Sequence, residues 1–179
     1  MSFNLQNGQS AERKSLITVA EWTGEGNSTV REILGVRTPD SSIEYNPEIE
    51  TSTDILGNNY TDVNKTQPQQ SFDPHLILGG AKLAEKLNDI RRRNALNELN
   101  QFTIYIITAF KGDENDGYEA ERHTDCTISY DSIGGESNVN FPITVYFSNK
   151  ITTGTVDKLA DNFVFTPDGA TTTTTTTEL

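Results

Sequence analysis

The chain has 179 residues, 34% of them hydrophobic, and a formal charge of 14 − 26 = −12. That length suits one domain with its own core, while the low apolar share leaves part of the chain exposed or to be covered by a partner. A field of this sign repels nucleic acid and anionic membrane surfaces, and a single cysteine, Cys126, excludes an internal disulfide.

Residues 1–14 are polar and aperiodic, and read as an arm. MSFNLQNGQSAERK has neither the basic nor the apolar region of a secretory signal, so synthesis in a reducing cytosol is expected. LITVAEW, from Leu16 to Trp22, predicts a strand buried on both faces: Leu16, Thr18 and Ala20 on one, Ile17, Val19 and Glu21 on the other. TGEGNS turns the chain, and Thr29 to Val36 predicts a second strand, ended by Thr38-Pro39-Asp40.

The stretch SSIEYNPEIETSTDILGNNYTDVNKTQPQQSF, residues 41–72, is different in kind. In a strand, alternate residues share a face. Glu44, Glu48, Glu50 and Asp54 then form an acidic row opposite Ile43, Tyr45, Ile49 and Ile55. Pro47 cannot donate to a ladder and marks an edge, bulge or bend. Gly57-Asn58-Asn59 supplies a turn, and Tyr60 to Gln67 returns as the partner strand of a long polar hairpin.

The period then changes. Leu83, Leu87 and Ile90 recur at helical spacing and predict a helix over 82–99 that carries Lys82, Lys86, Arg91, Arg92 and Arg93. FTIYIITAF, Phe102–Phe110, is apolar on both faces and predicts a central strand. Tyr118 to Tyr130 predicts a long strand with Cys126 and Ile128 on one face and Glu119, Glu121 and Asp125 on the other. NFPITVYFS and ITTGTVDKLADNFVFTP supply the remaining strands, and 168–179 reads as a disordered Thr-rich tail. Strands on both sides of one helix predict a mainly β domain over 15–167. Its form is an antiparallel β-sandwich or barrel of two packed sheets with one flanking α-helix.

Residues for catalysis or metal binding do not assemble in the sequence. His123 and Cys126 stand three apart on one predicted strand, which sends them to opposite faces. Asp113-Glu114-Asn115-Asp116-Gly117 places its glycine too early for a calcium loop and reads as a solvated acidic turn. The glycine pairs precede no phosphate-binding helix, and His75 and His123 lie too far apart in sequence to suggest zinc ligands. Neither a cofactor nor a metal nor enzymatic activity is expected. Arg91, Arg92 and Arg93 fan around a helix instead of forming one groove-reading face, and are read as pairing with acids of a neighbouring subunit. No run approaches the ~20 apolar residues needed to cross a bilayer.

Several stretches are similar to a known family: EYNPEIETSTDILGNNYTDVNKTQPQQSFDPHLILGGAKLAEKL, then FTIYIITAF and YEAERHTDCTISYDSIGGES, then FPITVYFSNKITTGTV. In order and local wording, from Val30 to Pro167, the chain resembles the major tail tube protein of tailed bacteriophages. The version with long non-contractile tails, infecting Gram-positive bacteria, is nearest in character. The resemblance implies two packed antiparallel sheets with a helix, and homo-hexameric rings stacked into a tube around a β-barrel lumen. It implies a long hairpin reaching the next ring, with Leu56, Gly57, Asn58, Asn59 and Tyr60 at the contact. Tail tip or baseplate, tape measure and tail terminator proteins are the implied partners, and the virion tail, assembled in the host cytoplasm, is the implied location. Similar folds occur in contractile tails, secretion tubes and bacteriocin-like injectors. In such a tube Glu44, Glu48, Glu50 and Asp54 would face the lumen and keep passing DNA from sticking. The second reading is a stand-alone β-sandwich module for adhesion or receptor binding, with the hairpin as its ligand face.

Overall fold

Strands with apolar residues on both faces must be covered twice, and the chain does this by folding two sheets and a helix around them. A computed structural model describes residues 3–169; the tail expected over 168–179 lies outside them apart from Asp168 and Gly169. In chain order the strands are β1 (Leu16–Thr23), β2 (Thr29–Ile33), β3 (Ile43–Glu44), β4 (Glu48–Thr53), β5 (Asn59–Lys65) and β6 (Gln69–Phe72). Helix α1 (Lys82–Arg93) follows, then β7 (Phe102–Asp113), β8 (Gly117–Tyr130), β9 (Ile143–Tyr146), β10 (Ile151–Val156) and β11 (Phe165–Pro167).

One antiparallel sheet runs β2-β1-β7-β8-β10-β11 and the other runs β8-β9-β6-β3. Strand β8 belongs to both: its first half pairs β10, and Thr127–Tyr130 pair β9. Between the sheets and α1 lies the main core, with Trp22, Phe72, Leu83, Leu87, Phe102, Ile104, Ile128 and Phe141. On the outer face of the first sheet Val19, Tyr105, Ile107, Ala120, Val156 and Phe163 form a second core. The two-sided burial expected of Leu16–Trp22 and Phe102–Phe110 is therefore present, with neighbouring residues going to different clusters. Thr18 Oγ1 donates to Gln70 Oε1 at 2.9 Å, a buried hydrogen bond that ties the two sheets.

The alternation expected along β8 does not hold. Phe102 pairs Cys126 and Ile104 pairs His123, so β8 carries one extra residue there. Asp125, at φ 57, takes the left-handed conformation that lets the extra residue bulge out. Side chains change face across the bulge: Ala120 joins the second core, whereas Cys126 and Ile128 join the main one. His123 and Cys126 thus end on the same side, contrary to the sequence expectation.

The α-helix is also shorter than the expected 82–99. Asn94 adopts φ 54, its N–H donates to Arg91 O at 3.3 Å and the Ala95 N–H to Ile90 O at 3.0 Å. This αL cap closes the last turn and stops the helix at Arg93, after which Leu96–Asn100 forms a separate 3-10 turn. The expected second strand ends early as well, at Ile33, before Gly35 at φ 87. The arm expected over 1–14 is anchored in part. Phe3 bridges Lys111, the Asn4 side chain donates to Gly112 O at 2.7 Å, and Arg13 Nε donates to Ser41 O at 2.9 Å.

Candidate functional site

Two short strands, β3 and β6, form the edge of the second sheet, and beyond them the same two segments continue outward as β4 and β5. No residue from 45 to 67 is buried. Ten residues of extended chain separate this root from the tip, so the hairpin projects by roughly 30 Å. Asn46, at φ 43, and Pro47 break the ladder between β3 and β4, where only the Gln67 N–H to Tyr45 O bond and the Asn46 side chain bridge the segments.

Directly opposed residues share a face of the hairpin. Ile49 faces Val63, Thr51 faces Thr61 and Thr53 faces Asn59, giving one apolar and hydroxyl face. Glu50 faces Asp62 and Ser52 faces Tyr60, giving the other. Glu48 pairs with Lys65 at 3.3 Å, and Glu50 accepts from Asn64 at 3.1 Å. Asp62, opposite Glu50, joins the acidic face although the sequence reading passed over it; its position across the turn was the available signal.

The expected row of four acids is only partly brought together. Glu48 and Glu50 lie side by side on β4. Glu44 is held in the body on β3, where its carboxylate accepts from Gln69 at 3.2 Å. Asp54 sits at the tip, where Oδ1 accepts the Leu56 and Asn58 N–H groups at 2.8 and 2.9 Å and Oδ2 accepts the Asn58 amide at 3.0 Å. These bonds, the Asn58 side chain first, hold its carboxyl below the ordinary range. Gly57, at φ 81, completes the turn, and Ile55 and Leu56 stand free at 102% and 81% exposure.

The arginine cluster is divided as well. Arg93 binds Asp89 at 2.7 Å and Glu98 at 2.8 Å, and Arg91 donates to Asn88 at 2.9 Å. Arg92 makes no ion pair among the described residues. Arg93 and Lys86 together hold the Glu98 carboxyl down to about 2. Two of the three arginines thus serve α1 and the turn after it.

A cleft that the sequence reading missed opens beside the N-terminus of α1, with a volume of about 530 Å³. Its walls are Ile33, Val36, Leu76, Leu78 and Leu159, with His75 at its base and Lys82 and Asp161 on the lining. His75 is 7% exposed and its Nδ1 has no hydrogen-bond partner; burial pushes its pKa down. The available signal was HLILGG, an apolar run outside any periodic element and closed by two glycines.

Although His123 and Cys126 share a side, they do not form a nucleophile pair. Cys126 Sγ lies 3.5 Å from His123 O and from Ser148 N, and burial pushes the thiol pKa up. The imidazole instead meets Glu121 and Ser148 O, each at 3.3 Å, and packs on Phe147. Asp113 Oδ1 accepts the Asn115 and Asp116 N–H groups, which makes the acidic segment a self-capped turn. Among the described residues no group of three or more acidic, His or Cys side chains could hold a metal, and no helix is long and apolar enough to cross a membrane.

No protein-family model matches the chain, and no curated protein matches it. Similar solved structures include the anti-feeding prophage cap, a tube terminating cap, with 14% identity and a TM-score of 0.47 over 87% of this chain and 96% of that one. A second is from the sheath-tube complex of an extracellular contractile injection system in the extended state, with 13% identity and a TM-score of 0.41 over 78% and 88%. A third is from the anti-feeding prophage baseplate, with 10% identity and a TM-score of 0.47 over 84% and 100%. At these identities and scores the likeness assigns no function to this chain.

Proposed function

We propose that the chain is a structural subunit that polymerises with copies of itself, as stacked hexameric rings, into the tube of a phage-type tail. The observation that carries this reading is the hairpin. It projects from a body whose two cores are complete without it, and it exposes Ile49, Val63, Ile55 and Leu56 to solvent. A lone two-stranded hairpin is marginal in water and needs a further surface to cover it. A body identical to its own, in the next ring, supplies that surface many times over, and weak contacts repeated around a ring add up to firm association.

In this reading the acidic face of Glu48, Glu50 and Asp62 turns to the lumen, with Glu44 below it, and repels the phosphates of passing DNA. Asp54 holds the shape of the tip that meets the next ring. The long non-contractile tail of a Gram-positive phage is the version that the sequence resembles, and tail tip, tape measure and terminator proteins would bound the tube.

Negative-stain electron microscopy of dilute and concentrated protein tests the proposal, together with amide exchange in both states. Hollow tubes, with residues 45–65 exchanging fast in the monomer and slowly in the polymer, are expected. Dispersed particles whose hairpin is already protected would favour the stand-alone binding module instead. Reversing the lumen charges with Glu48→Lys and Glu50→Lys should slow DNA release from assembled tails; unchanged release would remove the lumen role.

A further inference from the structure

The tip and the cleft are each incomplete. Ile55 and Leu56 stand at the end of an arm roughly 30 Å long, beyond the reach of their own body. The cleft beside α1 has apolar walls, with Val36 56% and Leu159 38% exposed, and nothing of its own chain fills it.

We propose that the hairpin tip of one copy, Asp54–Asn58, seats in the cleft of a second copy, with Ile55 and Leu56 against Val36, Leu76 and Leu159. This rests on the stacking reading above and names the surface that receives the hairpin. Charge favours the match. The tip is anionic, because its one titratable group, Asp54, is held as a carboxylate by the turn. The cleft rim presents Lys82, which has no ion pair among the described residues, and the N-terminus of α1, whose cap position Ala81 offers no side-chain acceptor. Glu32 Oε2 takes only the Leu83 N–H, at 2.9 Å. The unpartnered His75 Nδ1 at the base would gain a partner from the polar groups of the tip, such as Asn58 Oδ1. Each copy carries one tip and one cleft on different parts of its surface. The contact is therefore heterologous, and repeated from copy to copy it propagates along an axis instead of closing.

Cysteine pairing tests the contact. Cys126 is fully buried and leaves the background clean. In the double variant Leu56→Cys, Leu159→Cys, mild oxidation of concentrated protein should give a ladder of covalent oligomers, since each copy links onward at both sites. Leu56→Cys alone should give no more than dimers. A second variant blocks the cleft: a Cβ at Gly79 meets no atom within 4 Å and its φ is not in the left-handed region, so Gly79→Phe fills the opening without strain on the fold. It should raise the concentration needed for assembly by roughly tenfold or more while leaving the melting temperature unchanged. Tubes in the microscope without a ladder, or tubes unaffected by Gly79→Phe, would overturn the cleft contact and leave the tube reading standing. Absence of both tubes and ladder at every concentration would overturn the two together.

Discussion

The body and the hairpin of this protein are built from strands of similar length by different rules. In the body, Val19, Ala20, Ile104 and Ile107 are fully buried, and every strand of the first sheet except the two at its edges is paired on both sides. In the hairpin, β4 and β5 pair only with each other, and their apolar pair Ile49–Val63 stays about 60% exposed. The body spends its hydrophobic residues within one chain. The hairpin keeps its own for another molecule, and its sequence compensates with Thr-Thr and Thr-Asn cross-strand bonds, at 3.4 and 2.6 Å, that hold a ladder without a core.

The sharpest way to test that division is to damage the body. Leu87 is fully buried beneath α1, so Leu87→Ala should cost about 2–5 kcal/mol in denaturant unfolding. A loss as small as that of a surface substitution would mean that α1 is not seated on the core. The next effect concerns the corner of β8. A β-branched residue is poorly suited to φ 57, so Asp125→Val should cost about 1–2 kcal/mol, whereas Asp125→Gly should be tolerated. Equal melting of the two variants would show that the bulge does not govern how β8 passes between the sheets.

A smaller effect, visible through pH, belongs to the turn after α1. The Glu98 carboxyl is depressed from 4.5 to about 2 by Arg93 and Lys86, so its folded form favours the charged state. Its contribution is fully present above about pH 4.5 and is lost as the pH falls towards 2. Unfolding midpoints measured across that window should converge for the parent and Glu98→Gln at the acid end and diverge above it. Parallel curves would remove Glu98 from the fastening of this turn.

The same contrast explains what could be read from the sequence. Strands whose residues face two cores announce themselves by uninterrupted β-branched and aromatic runs, and LITVAEW and FTIYIITAF were legible for that reason. The hairpin was legible because alternation, Pro47 and Gly57-Asn58 are local signals. What alternation cannot reveal is a single residue that breaks it. Asp125 and Asn46 take left-handed backbone inside strand-like stretches, and each undoes the face assignment of the residues beyond it. Asn94 was readable as a helix cap, yet the apolar Leu96 and Leu99 after it kept the helical pattern going. The cleft was hidden for another reason: its walls come from β2, the segment before α1 and the loop after β10, and only the fold brings them together.

The smallest expected effect on stability is the one that bears most on function. Ile49→Ser with Val63→Ser should move the unfolding free energy of the monomer by no more than about 0.5 kcal/mol, because both side chains already face water. Asp54→Ala should leave melting unchanged while speeding amide exchange at Leu56 and Asn58, whose N–H groups it now holds. Assembly should respond in the opposite proportion: both changes should weaken polymerisation seen by sedimentation, since one strips the apolar face and the other loosens the tip. If instead the monomer melted several degrees lower and polymerised as before, the hairpin would be packed on its own body, and its exposure could no longer be taken as the mark of a surface reserved for another copy.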